Sequence, residues 1–309
     1  MFTIGQVISN YKIIDTLGKP GGYGQAHKVK NISDNSEAAL KECFGKTTDD
    51  LLRFDGENDI LYILQAHNYI IKPLSRIALE GATKYYLMEL ADENLEDFLN
   101  RNYNLSVDEK IALFIKICEG IEYAHSKKVV HRDIWWKNVL IVNQSSFTIP
   151  KLTDFGRSRD FGISQITLVP PEKWGLPDIG QPELYFKYWE SPSQQNYIVG
   201  DIFALGILFY YSLGVNQLLY PYYLVPSAKK FLNSEGININ TADEAVRQKA
   251  YRDWLSTIDY ALLEGLRQLP SYTPAFVKKI DPIIGKMSNP DFSLRYQSVS
   301  ELLTDLRSI

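Results

Sequence analysis

Eight consecutive residues, His131-Arg132-Asp133-Ile134-Trp135-Trp136-Lys137-Asn138, bring a carboxylate, an amide and several cations into one short stretch. Asp154-Phe155-Gly156 follows, with Asp154 twenty-one positions after Asp133. Carboxylate and amide oxygens are hard ligands, so Asn138 and Asp154 on adjoining loops suit a magnesium ion. Asp133, five residues before Asn138, can orient a hydroxyl and accept its proton. Upstream, Lys41 lies in the strand-like run Ala38-Ala39-Leu40-Lys41. Glu57 falls on an apolar helical stripe, three residues after Phe54 and four before Leu61. A carboxylate on such a stripe needs a partner, because burying it unpaired is costly.

These residues need a scaffold, and the pattern along the chain predicts one. Strands are expected at Tyr11–Leu17, Ala26–Lys30, Ala38–Cys43 and Tyr85–Glu89, with a helix from about Asp50 to Ala66. From Asn94 onward the character turns helical. Ser106 and Glu109 form a capping box opening a helix that ends near Lys127, and Ser298 with Glu301 suggests a second box before the last helix. Two short strands, Val139–Val142 and Lys151–Thr153, flank the Asp133 and Asp154 loops. A strand-rich part followed by a helix-rich part implies an α+β enzyme with a cleft between two lobes.

The H-R-D-x-x-x-x-N and D-F-G spacing, with a glycine cluster, a strand lysine and a helix glutamate in order, resembles the eukaryotic-type protein kinase family. The resemblance runs from about Tyr11 to Leu306. It implies a bilobal protein kinase-like fold, one domain over 1–309. The small β-rich N-lobe would cover about 1–88, the hinge about 89–93 and the larger helical C-lobe about 94–309. It also implies ATP and two magnesium ions. Phosphoryl transfer asks the protein for in-line positioning and cancellation of negative charge, and little covalent help.

Carried onto this sequence, the resemblance makes Asp133 the catalytic base, Asn138 and Asp154 the metal ligands and Lys41 the contact to the α and β phosphates. Glu57 would be the partner of Lys41, with Glu37, Glu42 and Asp59 as other carboxylates nearby. Gly18, Gly21, Gly22 and Gly24 would let backbone approach the phosphates, and Ala26 stands where the family usually has valine over the adenine. Ala39 and Leu140 would sandwich the ring. Met88 would be the gatekeeper, and backbone groups of Glu89 and Ala91 would meet the adenine edge. Asp201 would brace the catalytic loop. Glu172, in Pro170-Pro171-Glu172, resembles the A-P-E glutamate, with Arg295 as its partner. Arg132 resembles the basic pocket that receives an activating phosphate, for which Ser164 and Thr167 are the available hydroxyls.

Several positions depart from the family pattern. Gly18 to Gly21 is one residue longer than the glycine loop's usual first spacing. Trp135 stands two after Asp133, where serine/threonine kinases usually carry lysine. Lys137 stands four after it, where tyrosine kinases carry arginine, and is expected to supply the missing charge. Trp135 and Trp136 read either as packing or as a wall for the acceptor. Glu172 lies twenty-nine positions before Asp201, about twice the family's separation. The excess implies an aromatic-rich insertion at about 174–191, read as local packing or as a partner-docking site. Lys41, Asp133, Asn138 and Asp154 are all present, so the expectation is an active kinase of protein serine or threonine hydroxyls. The rival readings are a tyrosine or dual-specificity kinase, a nucleotide-binding pseudokinase and a small-molecule kinase.

Composition narrows the setting. Hydrophobic residues make up 45% and charged residues 23% of 309 residues, enough for a sizeable core. The net charge of −4 and dispersed basic residues argue against a nucleic-acid partner. The longest apolar run, Ile202 to Tyr211, is too short to span a membrane. Two distant cysteines, Cys43 and Cys118, argue against a disulfide framework or zinc knuckle, and Met1 to Asn10 carries no secretory signal pattern. The expectation is a cytoplasmic protein.

Overall fold

The computed structural model describes residues 1–18, 24–144, 147–162, 180–214, 219–267, 269 and 272–309. The first part is a sheet and one helix: β1 (Val7–Ile8), β2 (Tyr11–Leu17), β3 (Gly24–Asn31), β4 (Glu37–Cys43), α1 (Thr48–Leu64), β5 (Ala78–Glu80) and β6 (Thr83–Met88). The six strands lie in the order β1-β2-β3-β4-β6-β5, all neighbours antiparallel. Period-two burial explains the sheet. Ile13, Val29, Ala38, Leu40, Tyr85 and Leu87 gather with Phe2 and Ile8 into one cluster on one face. The other face, with Ala39, Cys43, Tyr86 and Met88, joins the main core under α1.

Helix α1 starts where Thr47 and Asp50 close a reciprocal capping box, so its first residue, Thr48, comes slightly before the expected start at about Asp50. Phe54, Glu57 and Leu61 all lie on its buried face.

The chain continues through β7 (Glu93–Asn94), α2 (Leu95–Arg101), α3 (Val107–Ser126), β8 (Val129–Val130), β9 (Val139–Gln144), β10 (Phe147–Leu152) and β11 (Arg159–Asp160). It then becomes helical: α4 (Pro182–Tyr185), α5 (Gln194–Ser212), α6 (Leu219–Ser234), α7 (Glu244–Ser256), α8 (Tyr260–Leu266), α9 (Pro274–Met287) and α10 (Val299–Leu306). The Ser106/Glu109 box forms as expected. Ser298 caps α10, but the Glu301 carboxylate reaches back to the N–H of Gln297, so that box is half made. Short strands hold the two chemically rich loops together: β9 pairs with β10 on either side of a hairpin, and β8, just before His131, pairs with β11, just after Asp154.

The run Ile202–Tyr211 lies inside α5, the central helix of the second part, packed against α3 and α9. A Cβ on Gly206 would meet Met287 Cβ at 2.8 Å and the Ser288 backbone nitrogen at 3.3 Å, so α5 and α9 approach closely only because this residue is glycine. Gly206→Ala should therefore cost about 1–3 kcal/mol through overpacking. Thermal unfolding would read it as a Tm lowered by several degrees, and an unchanged Tm would deny the close contact.

Among the described residues, no helix is long and apolar enough to cross a membrane.

Candidate active site

Three elements position the first pair of charges. Lys41 lies near the end of β4, opposite Ala26 of β3 and Tyr86 of β6. Its ammonium donates to both carboxylate oxygens of Glu57 at 2.7 Å each, and Glu57 is fully buried on α1. Glu57 is thus the partner of Lys41. The other carboxylates are committed elsewhere: Glu37 to Lys28, Glu42 to the buried His27, and Asp59 to Arg76. Asp154 Oδ1 lies 3.4 Å from the same Lys41 ammonium. Burial alone would lower the Lys41 pKa, but the Asp154 and Glu57 carboxylates hold it above the ordinary lysine range.

Asp154 reaches this place through its backbone. It adopts a left-handed conformation, φ +58°, before a single 3-10 turn over Phe155–Arg157. The Phe155 ring is fully buried in the same core cluster as Leu61 and Leu64, and α1 packs against this turn. Seating Phe155 under α1 therefore brings Asp154 and Glu57 to one lysine. A left-handed non-glycine residue costs on the order of 1–3 kcal/mol and persists only where its surroundings demand it.

Arg132 is left-handed as well, φ +68°. Here the constraint is Asp201 on α5, whose carboxylate accepts the N–H groups of His131 and Arg132 at 2.8 Å each and faces His125 Nε2 at 2.9 Å. Burial works to raise the Asp201 pKa, but these hydrogen bonds keep it below the usual carboxylate value. Asp201 thus braces the loop as the sequence reading expected. His131 Nε2 lies 3.1 Å from the Thr153 carbonyl, which can only accept, so Nε2 carries a proton and Nδ1 accepts from the Asp133 N–H at 3.3 Å. The Asn138 amide donates to the Asp133 carbonyl at 2.9 Å and to its Oδ2 at 3.0 Å. Its nitrogen is thereby spent on Asp133, which leaves Oδ1 as the atom able to bind a cation. The Asn138 carbonyl also receives the Thr153 N–H at 3.0 Å, tying this loop to the start of the Asp154 turn.

An amide oxygen and a carboxylate on linked loops fit magnesium, which takes few protein ligands and completes its shell with water and phosphate. Among the described residues, no group of three or more histidine, cysteine, aspartate or glutamate side chains forms a metal cage, so phosphate oxygens would have to supply the remaining ligands.

The residues expected around an adenine ring border one apolar surface. Ala39 and Met88 are buried cross-strand neighbours in the main core, with Ala26 and Leu140 half-buried against it. Leu17, opposite Ala26 across β2 and β3, packs there too and was missed by the sequence reading. Its position as the last strand residue before the glycines was the available signal. The Glu89 N–H is spent on the Lys72 carbonyl at 2.9 Å, so only the carbonyl of Glu89 can meet an adenine. The Glu89 carboxylate pairs with Lys151 at 2.6 Å, which steadies this crossing toward Ala91.

The glycine cluster divides. Gly18 has φ +66°, a conformation that favours glycine. Gly24 is inside β3, and a Cβ there would stand 2.7 Å from the Glu42 carbonyl, so its missing side chain serves the β3–β4 approach. Gly21 and Gly22 lie outside the described residues, as do Ser164, Thr167, Glu172 and Trp174.

One expectation is corrected. Among the described residues, the carboxylate partner of Arg295 is Glu183, in a bidentate pair at 2.6 and 2.7 Å with both side chains fully buried. Gln181-Pro182-Glu183 therefore occupies the place assigned to Pro170-Pro171-Glu172. Glu183 is eighteen positions before Asp201, so no insertion at 174–191 is needed. Its described aromatics are packing residues. Phe186 is buried against Tyr251 and Trp254, and Tyr188 and Trp189 contact Phe292. Proline displaced the sequence reading, since both triplets carry a Pro-Glu pair and only the arginine's location tells them apart.

Lys137 has neighbours of its own. Its half-exposed ammonium lies 3.6 Å from Glu96 and 5.4 Å above the Trp135 ring. Among the described residues, the cation within 4 Å of the Asp133 carboxylate is Arg157, at 3.7 Å. Trp136 stacks on Tyr211 at 4.2 Å, which makes it a packing residue. Trp135 leans on Trp136 and lines a small cavity, about 40 Å³, beside Asp133, Gln181 and Phe203.

Comparison with known proteins agrees with this geometry. The pattern of the protein kinase domain family matches residues 11–269. A probable serine/threonine-protein kinase of Dictyostelium discoideum is 29% identical over 231 residues, 72% of this chain and 42% of that protein. A probable LRR receptor-like serine/threonine-protein kinase of Arabidopsis thaliana is 28% identical over 195 residues, 61% of this chain and 20% of that one. The CTD kinase subunit alpha of Saccharomyces cerevisiae is 32% identical over 171 residues, 49% of this chain and 30% of the relative. The chain thus spans between a fifth and about two fifths of these relatives' lengths. Since the matched stretch holds the lysine–glutamate pair, the braced loop and the Asp154 turn, this chain belongs to the protein kinase domain family.

Proposed function

We propose that this chain is an active ATP-dependent protein kinase acting on serine or threonine hydroxyls. The observation that carries the reading is the Lys41 ammonium, held by buried Glu57 and facing Asp154. A nucleotide would lie as in one bilobal domain, its adenine between Ala39 and Leu140 at the hinge of about 89–93. Its phosphates would run toward Gly18, Gly24 and Lys41. Asn138 and Asp154 would hold magnesium, which cancels phosphate charge when bound. Asp133 would take the hydroxyl proton. Its two carboxylate oxygens face Asn138 and Arg157, so it is aimed before any acceptor arrives.

The serine/threonine preference draws support from the names of two similar proteins, both probable serine/threonine-protein kinases. Two buried free thiols, Cys43 and Cys118, support a reducing, cytoplasmic setting.

Mass spectrometry after incubation with ATP, magnesium and a generic protein substrate tests the reading, with Asp133→Ala alongside. Phosphate on serine or threonine that disappears in Asp133→Ala is the expected result. Phosphotyrosine would replace the acceptor class. Tight ATP binding with no transferred phosphate would sink the enzyme reading.

A further inference from the structure

The antiparallel pairing of β2 with β3 ends at Leu17 and Ala26. Directly opposite residues share a face of the sheet, and both side chains lie half-buried on the apolar surface that would meet an adenine. Gln25 stands one residue beyond that last pair, with its backbone opposite Glu42 of β4. Its side chain makes a further tie to β2. The amide nitrogen of Gln25 donates to the Leu17 carbonyl and to the Ala26 carbonyl, at 2.8 Å each. Carbonyl oxygens only accept, so the nitrogen and not the oxygen of the amide faces them, and both of its hydrogens are used. Side chains alternate across a strand, so Gln25 works from the face opposite to Ala26. Only 4% of the residue is exposed there. Its Oε1 is buried as well and meets no donor among the described residues. A buried acceptor left unpaired is destabilising, so packing alone would favour an apolar side chain at this position.

Resting on the ATP-binding part of the reading above, we propose that Gln25 is a positioning residue for the nucleotide: from behind the sheet it clamps Leu17 to Ala26, the two residues that roof the adenine. The β3 side of the clamp is firmly based. Gly24 and Gln25 pair with Cys43 and Glu42, and a Cβ on Gly24 would stand 2.7 Å from the Glu42 carbonyl, so β3 lies close on β4. The β2 side is the weaker one. Leu17 is the last residue of its strand and is followed by Gly18 at φ +66°. Strand ends open first, and an open Leu17 would leave one face of the ring in water. The two amide hydrogen bonds remove that freedom before a nucleotide arrives, which lowers the ordering cost of binding. The clamp acts on the roof over the base and not on the phosphates. It therefore governs affinity for adenine compounds and leaves the transfer step alone.

Calorimetric titration with adenosine and with magnesium ATP gives Kd for the wild type, Gln25→Met, Leu17→Ala, the double variant and Gly206→Ala, and phosphate transfer by the same proteins gives kcat. Methionine fills the same space and offers neither donor. Gln25→Met should weaken adenosine and ATP alike, by about 10-fold, with kcat within about threefold of the wild type. Leu17→Ala removes a side chain through which the clamp acts, so adding Gln25→Met to it should cost no more than about threefold. Gly206→Ala, at the contact of α5 with α9, should lower Tm and leave both Kd values unchanged. An adenosine Kd for Gln25→Met within about twofold of the wild type would overturn the inference. So would a loss for ATP without one for adenosine, full additivity with Leu17→Ala, or equal weakening in Gly206→Ala. A wild type that binds adenosine and ATP but transfers no phosphate would overturn the enzyme reading, and the Kd values would still decide the role of Gln25. A wild type that binds neither would overturn both.

Discussion

Lys41→Met should lower phosphate transfer by about 10³-fold while the chain remains folded. The substitution keeps the length and packing of the side chain and removes its charge. Two consequences follow from the geometry. The nucleotide phosphates lose the cation that Glu57 and Asp154 hold in place. Glu57, fully buried, loses its counter-ion. Burial pushes the Glu57 carboxyl up, and Lys41 is the largest influence holding it down. Without Lys41 it should take up a proton. A carboxyl raised in the folded state costs nothing while both states are protonated, and stability falls as pH rises from its unfolded value toward its folded one. The Tm deficit of Lys41→Met should therefore grow between about pH 5 and pH 8. Rates and melting curves at both pH values check this. A variant within about tenfold of the wild-type rate would deny Lys41 its phosphate role, and a deficit independent of pH would deny the coupling to Glu57.

Glu183→Gln should be the more damaging change for stability. Arg295 is fully buried, bonded twice to Glu183 and once to the Asn289 carbonyl at 2.7 Å, with its guanidinium 4.6 Å from the Phe203 ring centre. Removing one charge strands the other away from water, which costs about 3–5 kcal/mol. For a chain of this length that is roughly 10 °C in Tm. Glu172→Gln should leave the pair intact and lower Tm far less. Thermal unfolding of the two variants decides between the glutamates, and equal losses would refute the Glu183 assignment. Replacing both partners, as in Glu183→Leu with Arg295→Met, should recover part of the loss, because the penalty comes from the stranded charge.

Local pattern was sufficient for much of this protein. Strands β2, β3, β4, β6 and β9, helices α1 and α3, and the buried helix through Ile202–Tyr211 were legible because period and capping act over a few residues. Glu57 could be chosen over Glu37, Glu42 and Asp59 because only it combined an acidic group with a helical apolar stripe, and the structure brings it to Lys41. The Asp133–Asn138 spacing likewise lies within one loop, and the two side chains meet. Local pattern stops short where partners come from distant segments. Two Pro-Glu pairs precede α5, and only the folded position of Arg295, more than a hundred residues later, selects Glu183. Lys137 is close to Asp133 in sequence, yet its ammonium is drawn to Glu96 and the Trp135 ring, while Arg157 arrives from the next loop. Side-chain direction and charge pairing depend on which surfaces meet after folding, so spacing can nominate such residues but packing selects among them.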